Sequence, residues 1–142
     1  YNTATQVPLI IYDPLTKTKG TTNALVSLVD IYPTLVELCK LEPPKNQLDG
    51  ESLVRIFNNL DSKGKEHVFI KRKNGFTLKT RQYSYTEFIN AKNNKTIDKM
   101  LYDHRSNKIE NRNVAEKEEF GKIVLELSNI LHSKFKENIQ GE

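Results

Sequence analysis

The spacing of apolar residues changes along the chain, and each change predicts a different element. Residues 7–12 are almost continuously apolar and end at Asp13-Pro14, which is the pattern of a strand buried on both faces of a sheet. Such a strand needs neighbours, and residues 13–62 contain no matching apolar run. We therefore predict an orphan strand that pairs with a free sheet edge, pairs with a second copy of the chain, or stays poorly ordered.

Helical spacing begins near Asp30. Four apolar residues would share one face of a helix that runs from residue 30 to about residue 41: Ile31, Leu35, Leu38 and Cys39. We expect Asp30 to cap the first turn, and Pro43-Pro44 prevents the helix from continuing. A second, short helix is expected within residues 49–57. Its buried residues would be Leu53, Ile56 and Phe57.

From residue 67 the apolar pattern alternates with a period of two, which is typical of strands in a half-buried sheet. The predicted strands cover residues 67–72, 76–81, 83–88 and 99–103. Asn74-Gly75 lies between the first two strands, and we expect it to form a two-residue hairpin turn with positive φ at both residues. These strands predict a four-stranded, largely antiparallel sheet.

The last element has the clearest pattern in the sequence. Its apolar stripe at helical spacing comprises Phe120, Ile123, Val124, Leu127, Ile130, Leu131 and Phe135. Asn113 and Glu116 have the spacing of an N-terminal capping pair, so we predict a helix over residues 114–137 that covers the sheet. The predicted fold class is α+β. We expect a boundary within residues 58–64, which separates a domain of residues 1–60 from one of residues 61–142.

The composition excludes several classes of protein. The chain has 142 residues, of which 37% are apolar and 28% are charged, and this is the composition of a globular protein. No apolar run approaches the roughly 18 residues needed to cross a bilayer, so we expect no membrane partner. The single cysteine, Cys39, cannot form an internal disulfide, and the three histidines lack metal-ligand spacing.

The net charge of +4 is unevenly distributed, because residues 1–60 carry a net −1 and residues 61–142 a net +5. Five cations of the second half are candidate contacts for a polyanion or a substrate: Lys71, Arg72, Lys73, Lys79 and Arg81. Aromatic residues alternate with them, and such a surface can bind single-stranded nucleic acid by stacking. The same aromatics are also preferred in strands and cores, so we favour packing over stacking.

Candidate catalytic residues are scarce. Cys39 is best interpreted as a small core residue. Asp103 could orient His104, but the two are consecutive and lie at a strand exit, so we favour a structural or surface role. The glycosylation sequon at Asn94 is a short pattern that recurs by chance. We assign no catalytic residue, no metal ligand and no bound cofactor to this chain.

Five segments carry short, ordered patterns: residues 5–11, 25–35, 49–53, 76–85 and 101–113. Together they resemble the C-terminal part of the arylsulfatase superfamily, most closely the iduronate-2-sulfatase type. Residues 5–11 resemble the family's A-T-x-V-P-L-I strand, residues 25–35 its V-x-L-V-D-x-x-P-T-L segment, and residues 49–53 its D-G-x-S-L. Residues 76–85 resemble S-x-R-T-x-x-Y-R-Y, and residues 101–113 resemble L-Y-D followed by D-P-x-E-x-x-N. Asn107-Lys108 replaces the usual Asp-Pro, which suggests a looser turn.

The resemblance implies that residues 1–60 are the end of an α/β, alkaline-phosphatase-like catalytic domain and that a small C-terminal subdomain follows. The family's C-x-P-x-R motif, whose cysteine becomes formylglycine, is absent from this sequence. By resemblance the chain begins just after the active site, and it would supply scaffold and a cleft wall. The parent enzyme would hydrolyse sulfate esters of glycans with a divalent cation, expected to be calcium.

The resemblance also implies the partners and the compartment. The partners would be a catalytic N-terminal domain of the same polypeptide and a sulfated glycan, with self-association through the orphan strand as a further expectation. The parent would be periplasmic, secreted or lysosomal. The alternative hypothesis is a free-standing basic module that binds nucleic acid or another polyanion.

Overall fold

A computed structural model of the chain describes residues 1–46, 48–90, 92–106 and 109–139, with side chains described as far as residue 134. The helices are α1 (Asn2–Thr5), α2 (Ile31–Leu38), α3 (Val54–Asn58) and α4 (Gly121–Ile139). The strands are β1 (Val68–Arg72), β2 (Gly75–Lys79), β3 (Tyr83–Ile89) and β4 (Thr96–Asp103). Among these residues, no helix is both long and apolar enough to cross a membrane.

The four strands form one sheet in the order β1-β2-β3-β4. In the antiparallel pairs, Leu78 of β2 lies opposite Tyr85 of β3, and Tyr85 lies opposite Leu101 of β4. The α+β prediction, a four-stranded antiparallel sheet with a long C-terminal helix, is confirmed. The last strand is longer than predicted because a hydrogen bond of 2.9 Å from Asn90 N to Lys95 O closes a tight loop, and β4 begins directly after it.

The hairpin turn between β1 and β2 is displaced by one residue from its predicted position. Lys73 and Asn74 form the turn, and Lys73 has the positive φ of 54°. Gly75 is the first residue of β2 and does not have a positive φ. A Cβ at Gly75 would lie 3.1 Å from Cε1 of Phe88, so this position favours glycine because of close packing, and not because of a left-handed backbone.

The core of the sheet lies beneath α4. Leu78, Tyr85 and Leu101 are fully buried, and Leu127 and Leu131 of α4 pack against them. Burying one such leucine contributes about 1.5–3 kcal/mol. Most of the predicted apolar stripe therefore faces this core, either buried or partly buried. The side chain of Phe135, which was also predicted there, lies outside the described residues.

The predicted start of the last helix is wrong. A 3-10 turn over Glu118–Phe120 precedes α4, which begins at Gly121. Asn113 caps no helix. Its Oδ1 accepts hydrogen bonds from Leu101 N and Ala115 N at 2.9 and 3.0 Å, and its Nδ2 donates to Lys99 O at 3.0 Å. The Asn113 side chain thus satisfies backbone hydrogen-bonding groups on the outer edge of β4, and without it these groups would be unpaired.

The chain forms two compact units. Tyr1–Val7 belongs with Phe69–Glu142 to the unit that contains the sheet, and Pro8–Val68 forms the other unit. The division into residues 1–60 and 61–142 concerns domains of a larger enzyme and stays a prediction.

Two side chains of the second unit connect α2 to the segment before α3. Asp30 is fully buried, and its carboxylate accepts hydrogen bonds from Ser27 N and Glu51 N at 2.8 and 2.9 Å. The same carboxylate pairs with Lys65 Nζ at 3.1 Å. Thr34 Oγ1 accepts a hydrogen bond from Leu53 N at 2.9 Å. Two of the segments that resemble the sulfatase family, residues 25–35 and 49–53, are therefore joined through buried hydrogen bonds.

The first two predicted helices differ from the observed ones. Asp30 is the N-cap residue of α2, as predicted, but its side chain makes no hydrogen bond to that helix. The helix ends at Leu38, and Lys40 adopts a φ of 53° just beyond it. Only part of the predicted apolar face is covered: Ile31 and Leu38 are half-buried, whereas Leu35 is 51% exposed and Cys39 is exposed. The short helix is α3, where Ile56 is buried as predicted and Phe57 is half-buried.

Residues 7–12 form neither a helix nor a strand in the described chain. Ile10 is 90% exposed and Tyr12 is 88% exposed. The chain by itself forms no strand here, because a strand needs a hydrogen-bonding neighbour and no described residue provides one. Pairing of this segment with a second copy or with the sheet of a larger enzyme stays a prediction. The predicted loose turn at Asn107-Lys108 lies outside the described residues.

Candidate functional site

The sheet-containing unit holds two clusters of polar side chains, each built around one buried carboxylate. The Glu87 cluster consists of Glu87, Tyr85, Thr96, Ser128 and His132. The Glu110 cluster consists of Glu110, His104, Lys79, Tyr102 and Asn2. Alternation along the strands puts Leu78 and Lys79 on opposite faces of the sheet, so the Glu87 cluster lies under α4 and Lys79 points to the other face.

Glu87 is a fully buried carboxylate with four hydrogen-bond donors. Its Oε1 accepts hydrogen bonds from Tyr85 OH at 2.5 Å and from Ser128 Oγ at 2.6 Å. Its Oε2 accepts a hydrogen bond from Thr96 Oγ1 at 2.7 Å and lies 2.8 Å from His132 Nε2. Ser128 and His132 are four residues apart and so share one face of α4. The cluster joins β3, β4 and α4.

The hydrogen bonds decide the ionisation of Glu87. Burial alone would raise its pKa, but the hydrogen bonds from Ser128, Tyr85, His132 and Thr96 more than offset burial and lower the pKa to about 2. Burial and the same carboxylate raise the pKa of Tyr85. Glu87 is therefore a charged acceptor, and with four donors it has little capacity left for a ligand.

The Glu110 cluster connects α1 to the sheet. Glu110 is buried and has a φ of +57°, which is unusual for a residue other than glycine. Its carboxylate accepts a hydrogen bond from Asn2 N and lies 2.7 Å from His104 Nε2. Lys79 Nζ donates hydrogen bonds to Asn2 Oδ1 and, at 3.1 Å, to Thr5 Oγ1. Both charged residues thus hold α1.

Charge and burial act in opposite directions in the Glu110 cluster. Burial by itself raises the pKa of Glu110. The hydrogen bonds from His104 and Asn2 N, together with the charge of Lys79, have the larger opposite effect, so the pKa of Glu110 lies below its ordinary value. Burial lowers the pKa of Lys79, and Glu110 partly offsets this effect. The Tyr1 and Tyr102 rings pack beside the cluster with centroids 5.6 Å apart.

The hydrogen-bonding groups of both clusters are engaged with partners within the protein. Among the described residues, no group of three or more His, Cys, Asp and Glu side chains could hold a metal ion, and no buried side-chain N or O atom lacks a hydrogen-bond partner. The Asp103-His104 pair is not a dyad, because Asp103 binds Arg105 through two hydrogen bonds of 2.8 and 2.9 Å and His104 binds Glu110. The hydrogen bond from the Arg105 side chain lowers the pKa of Asp103, and this effect is larger than the opposite effect of burial.

The five cations selected from the sequence do not lie together. Lys71, Arg72 and Lys73 are exposed at the β1–β2 turn. Lys79 lies at the other end of β2, where it is half-buried against α1, and Arg81 is exposed just beyond. Their role as polyanion or substrate contacts stays a prediction. Of the aromatics among them, Tyr83 and Tyr85 are buried and Phe69 and Phe76 are partly buried against the core, and Phe88 is half-buried. This favours packing over stacking for the first four rings.

Comparisons with known proteins decide the family. A family model described as "N-sulphoglucosamine sulphohydrolase, C-terminal" matches residues 1–137. The chain belongs to this sulfatase family. Arylsulfatase K of Mus musculus is 26% identical over 146 residues, which cover 94% of this chain and 25% of the relative. The sulfatase resemblance is thereby confirmed, and the chain spans about a quarter of the length of the curated relatives it matches.

Two solved structures support the sulfatase-type fold. One, a protein in complex with its substrate D-glucosamine-2-N,6-O-disulfate, has a TM-score of 0.60 at 19% identity and covers 75% of this chain and 23% of its own. The other, the phosphonate monoester hydrolase of Agrobacterium radiobacter, has a TM-score of 0.61 at 20% identity over 79% of this chain and 25% of its own. At these identities the likeness shows the fold and leaves the reaction to other evidence.

The sulfatase C-terminal unit contains polar residues that the sequence pattern did not identify. Glu87 is the only acidic residue within residues 67–97, and it stands on the strand face that otherwise supplies the core. A single acidic residue at an inward-facing strand position was therefore the sequence signal that could have identified the Glu87 cluster. Glu110 appeared only as a letter of a family motif, and Asn113 was predicted to cap a helix. The contacts of Glu110 with α1 and of Asn113 with β4 were not predicted.

Proposed function

We propose that this chain is the C-terminal part of an enzyme that hydrolyses sulfate esters of glycosaminoglycan-type sugars. It supplies scaffold and one wall of the substrate cleft, and the catalytic groups belong to a preceding domain of the same polypeptide. The observation that carries the proposal is the match of residues 1–137 to the C-terminal family of N-sulphoglucosamine sulphohydrolase, together with relatives of which this chain spans about a quarter.

The substrate class is supported by two names. The description of the matched family contains the substrate name N-sulphoglucosamine, and one structural neighbour was solved in complex with D-glucosamine-2-N,6-O-disulfate. Both are sulfated amino sugars of the kind found in glycosaminoglycans. The narrower proposal, a likeness to the iduronate-2-sulfatase type, rests on the motif spacing of residues 5–11 and 25–35.

In this proposal, formylglycine and a divalent cation, expected to be calcium, belong to the preceding domain. In this chain, Glu110 and Lys79 fix α1 on the sheet. Residues 7–12 would complete a sheet of the catalytic domain, and without it they are free to self-associate. The parent enzyme would work in the periplasm, outside the cell or in a lysosome.

Sulfate release tests the proposal. We expect the full-length polypeptide to release sulfate from sulfated glucosamine or 2-sulfated uronate, and to hydrolyse phosphonate monoesters more slowly. The isolated 142-residue chain should give no turnover of an aryl sulfate. Turnover by the isolated chain would show that it contains its own active site, and a preference of the full-length polypeptide for phosphonate monoesters would contradict the sulfatase assignment.

A further inference from the structure

The turns at one end of the sheet carry an excess of positive charge that the proposed catalytic role does not use. Residues 67–97 contain seven Lys or Arg residues and a single acidic residue, Glu87. Glu87 is fully buried and occupied by its own four donors. Glu87 faces α4 through Ser128 and His132 and does not face the turns. The exposed Asp98, just beyond this range and opposite Phe88, offsets one of the positive charges.

The fold collects five of these cations at the same end of the sheet. Ile89 N donates a hydrogen bond of 2.8 Å to Asn74 O, which joins the β1–β2 turn to the start of the β3–β4 loop. The first turn presents Lys71, Arg72 and Lys73, and the loop presents Lys92 and Lys95. All five side chains are exposed. We call this set the basic end, and it differs from the sequence prediction because it gains Lys92 and Lys95 and loses Lys79 and Arg81.

The basic end is held in a defined shape by the backbone. Lys73 adopts a φ of 54° in the turn, and a hydrogen bond of 2.9 Å from Asn90 N to Lys95 O closes the loop. Lys71 Nζ lies 5.4 Å from the centroid of the Phe76 ring, so its stem follows the surface of the core. In the part of the chain that the structure describes, none of the five side chains forms an ion pair.

We propose that the basic end is a secondary binding site for a sulfated glycan chain, which it holds outside the catalytic cleft. This inference rests on the proposed function, because a sulfatase of glycosaminoglycans meets substrate as a polyanionic chain longer than the sugar it hydrolyses. Exposed lysines and arginines on two adjoining turns match the repeated sulfates of such a chain in charge. Four aromatics of the same strands are buried or pack against the core, and Phe88, opposite Gly75, is half-buried, so charge and not base stacking carries this proposal.

The test measures binding of a heparin oligosaccharide to the full-length polypeptide and to two triple variants. One variant changes the basic end (Lys73→Gln, Lys92→Gln, Lys95→Gln). The matched control removes three exposed cations of the same unit that lie elsewhere (Arg112→Gln, Lys122→Gln, Lys134→Gln). At about 0.5 kcal/mol for each exposed ion pair, the first variant should bind about tenfold more weakly. The control should bind with nearly unchanged affinity.

Several outcomes would overturn the inference. Equal losses in the two variants would mean that only net charge matters. Equal binding of desulfated heparin would remove the role of sulfate. Tighter binding of single-stranded DNA, lost in the same variant, would assign the basic end to nucleic acid. A separate assay tests the proposed function: the unmodified polypeptide should release sulfate from a small sulfated sugar. Hydrolysis of such a small substrate does not require the basic end, so failure of this assay would contradict the proposed function and not the binding site.

Discussion

Individual buried carboxylates join separate elements of this structure through hydrogen bonds, and Glu87 is the clearest case. A charged acceptor with four donors stabilises the junction of β3, β4 and α4 only while it stays ionised. Its pKa in the folded state is about 2, below the ordinary 4.5. The contribution of Glu87 to stability is therefore fully present above about pH 4.5, and it is lost as the pH falls through this window towards 2.

Glu87→Gln should reduce the free energy of unfolding by about 2–3 kcal/mol at pH 7, because a buried amide NH₂ group would face other donors. It should also flatten the dependence of stability on pH between about 4.5 and 2. Urea unfolding at several pH values measures both effects. Glu126→Gln, which changes an exposed residue of α4, is the control. A wild-type pH dependence in Glu87→Gln would contradict the assignment.

Glu110 combines a buried carboxylate with a left-handed backbone, and two substitutions separate these features. Glycine at this position loses the contacts to His104 and Asn2 but tolerates a φ of +57°. Alanine loses the same contacts and keeps the backbone strain. We expect both variants to be less stable than the wild type, with Glu110→Ala less stable than Glu110→Gly by about 1 kcal/mol. Equal stability in urea unfolding would show that the positive φ carries no cost.

At the scale of elements, apolar periodicity predicted an element correctly where the described chain itself covers the apolar face. The alternation of residues 67–88 and the helical stripe of residues 120–131 gave the sheet and α4, because each buries one face in this chain. The α2 face was predicted less well, because Leu35 has helical spacing but is 51% exposed in the described chain. Asn113 failed because its amide pairs with β4, a partner that sequence spacing does not reveal.

The α2–α3 connection depends on Thr34, an element-scale contact that can be tested directly. Thr34 is buried, and its hydroxyl accepts the hydrogen bond from Leu53 N. Thr34→Val keeps the volume and leaves that amide without its acceptor, so unfolding should become easier by about 1–3 kcal/mol. Thr34→Ser keeps the hydroxyl and should lose much less. A Thr34→Val protein as stable as Thr34→Ser in thermal unfolding would mean that the hydrogen bond contributes nothing.

For the whole molecule, the exposed apolar side chains have a physical consequence. Large exposed apolar residues concentrate in the first part of the chain: Ile10, Tyr12, Leu15, Leu28 and Leu35. Such surface is uncommon on a monomeric protein. Since the chain spans about a quarter of its relatives' length, the preceding catalytic domain is the occupant that our proposal assigns to these side chains.

Ile10→Lys tests this assignment because its effect should reverse with context. In the isolated chain, where Ile10 is 90% exposed, the charge should leave stability unchanged and increase the monomeric fraction in sedimentation. In the full-length polypeptide it should lower the free energy of unfolding by about 2 kcal/mol or more, since it removes a buried isoleucine and places a charge there. Thr18→Lys, at an exposed polar residue, should change neither protein. If Ile10→Lys leaves the full-length polypeptide as stable as Thr18→Lys does, residues 7–12 complete no sheet, and the proposed joining of this chain to a catalytic domain is wrong at that point.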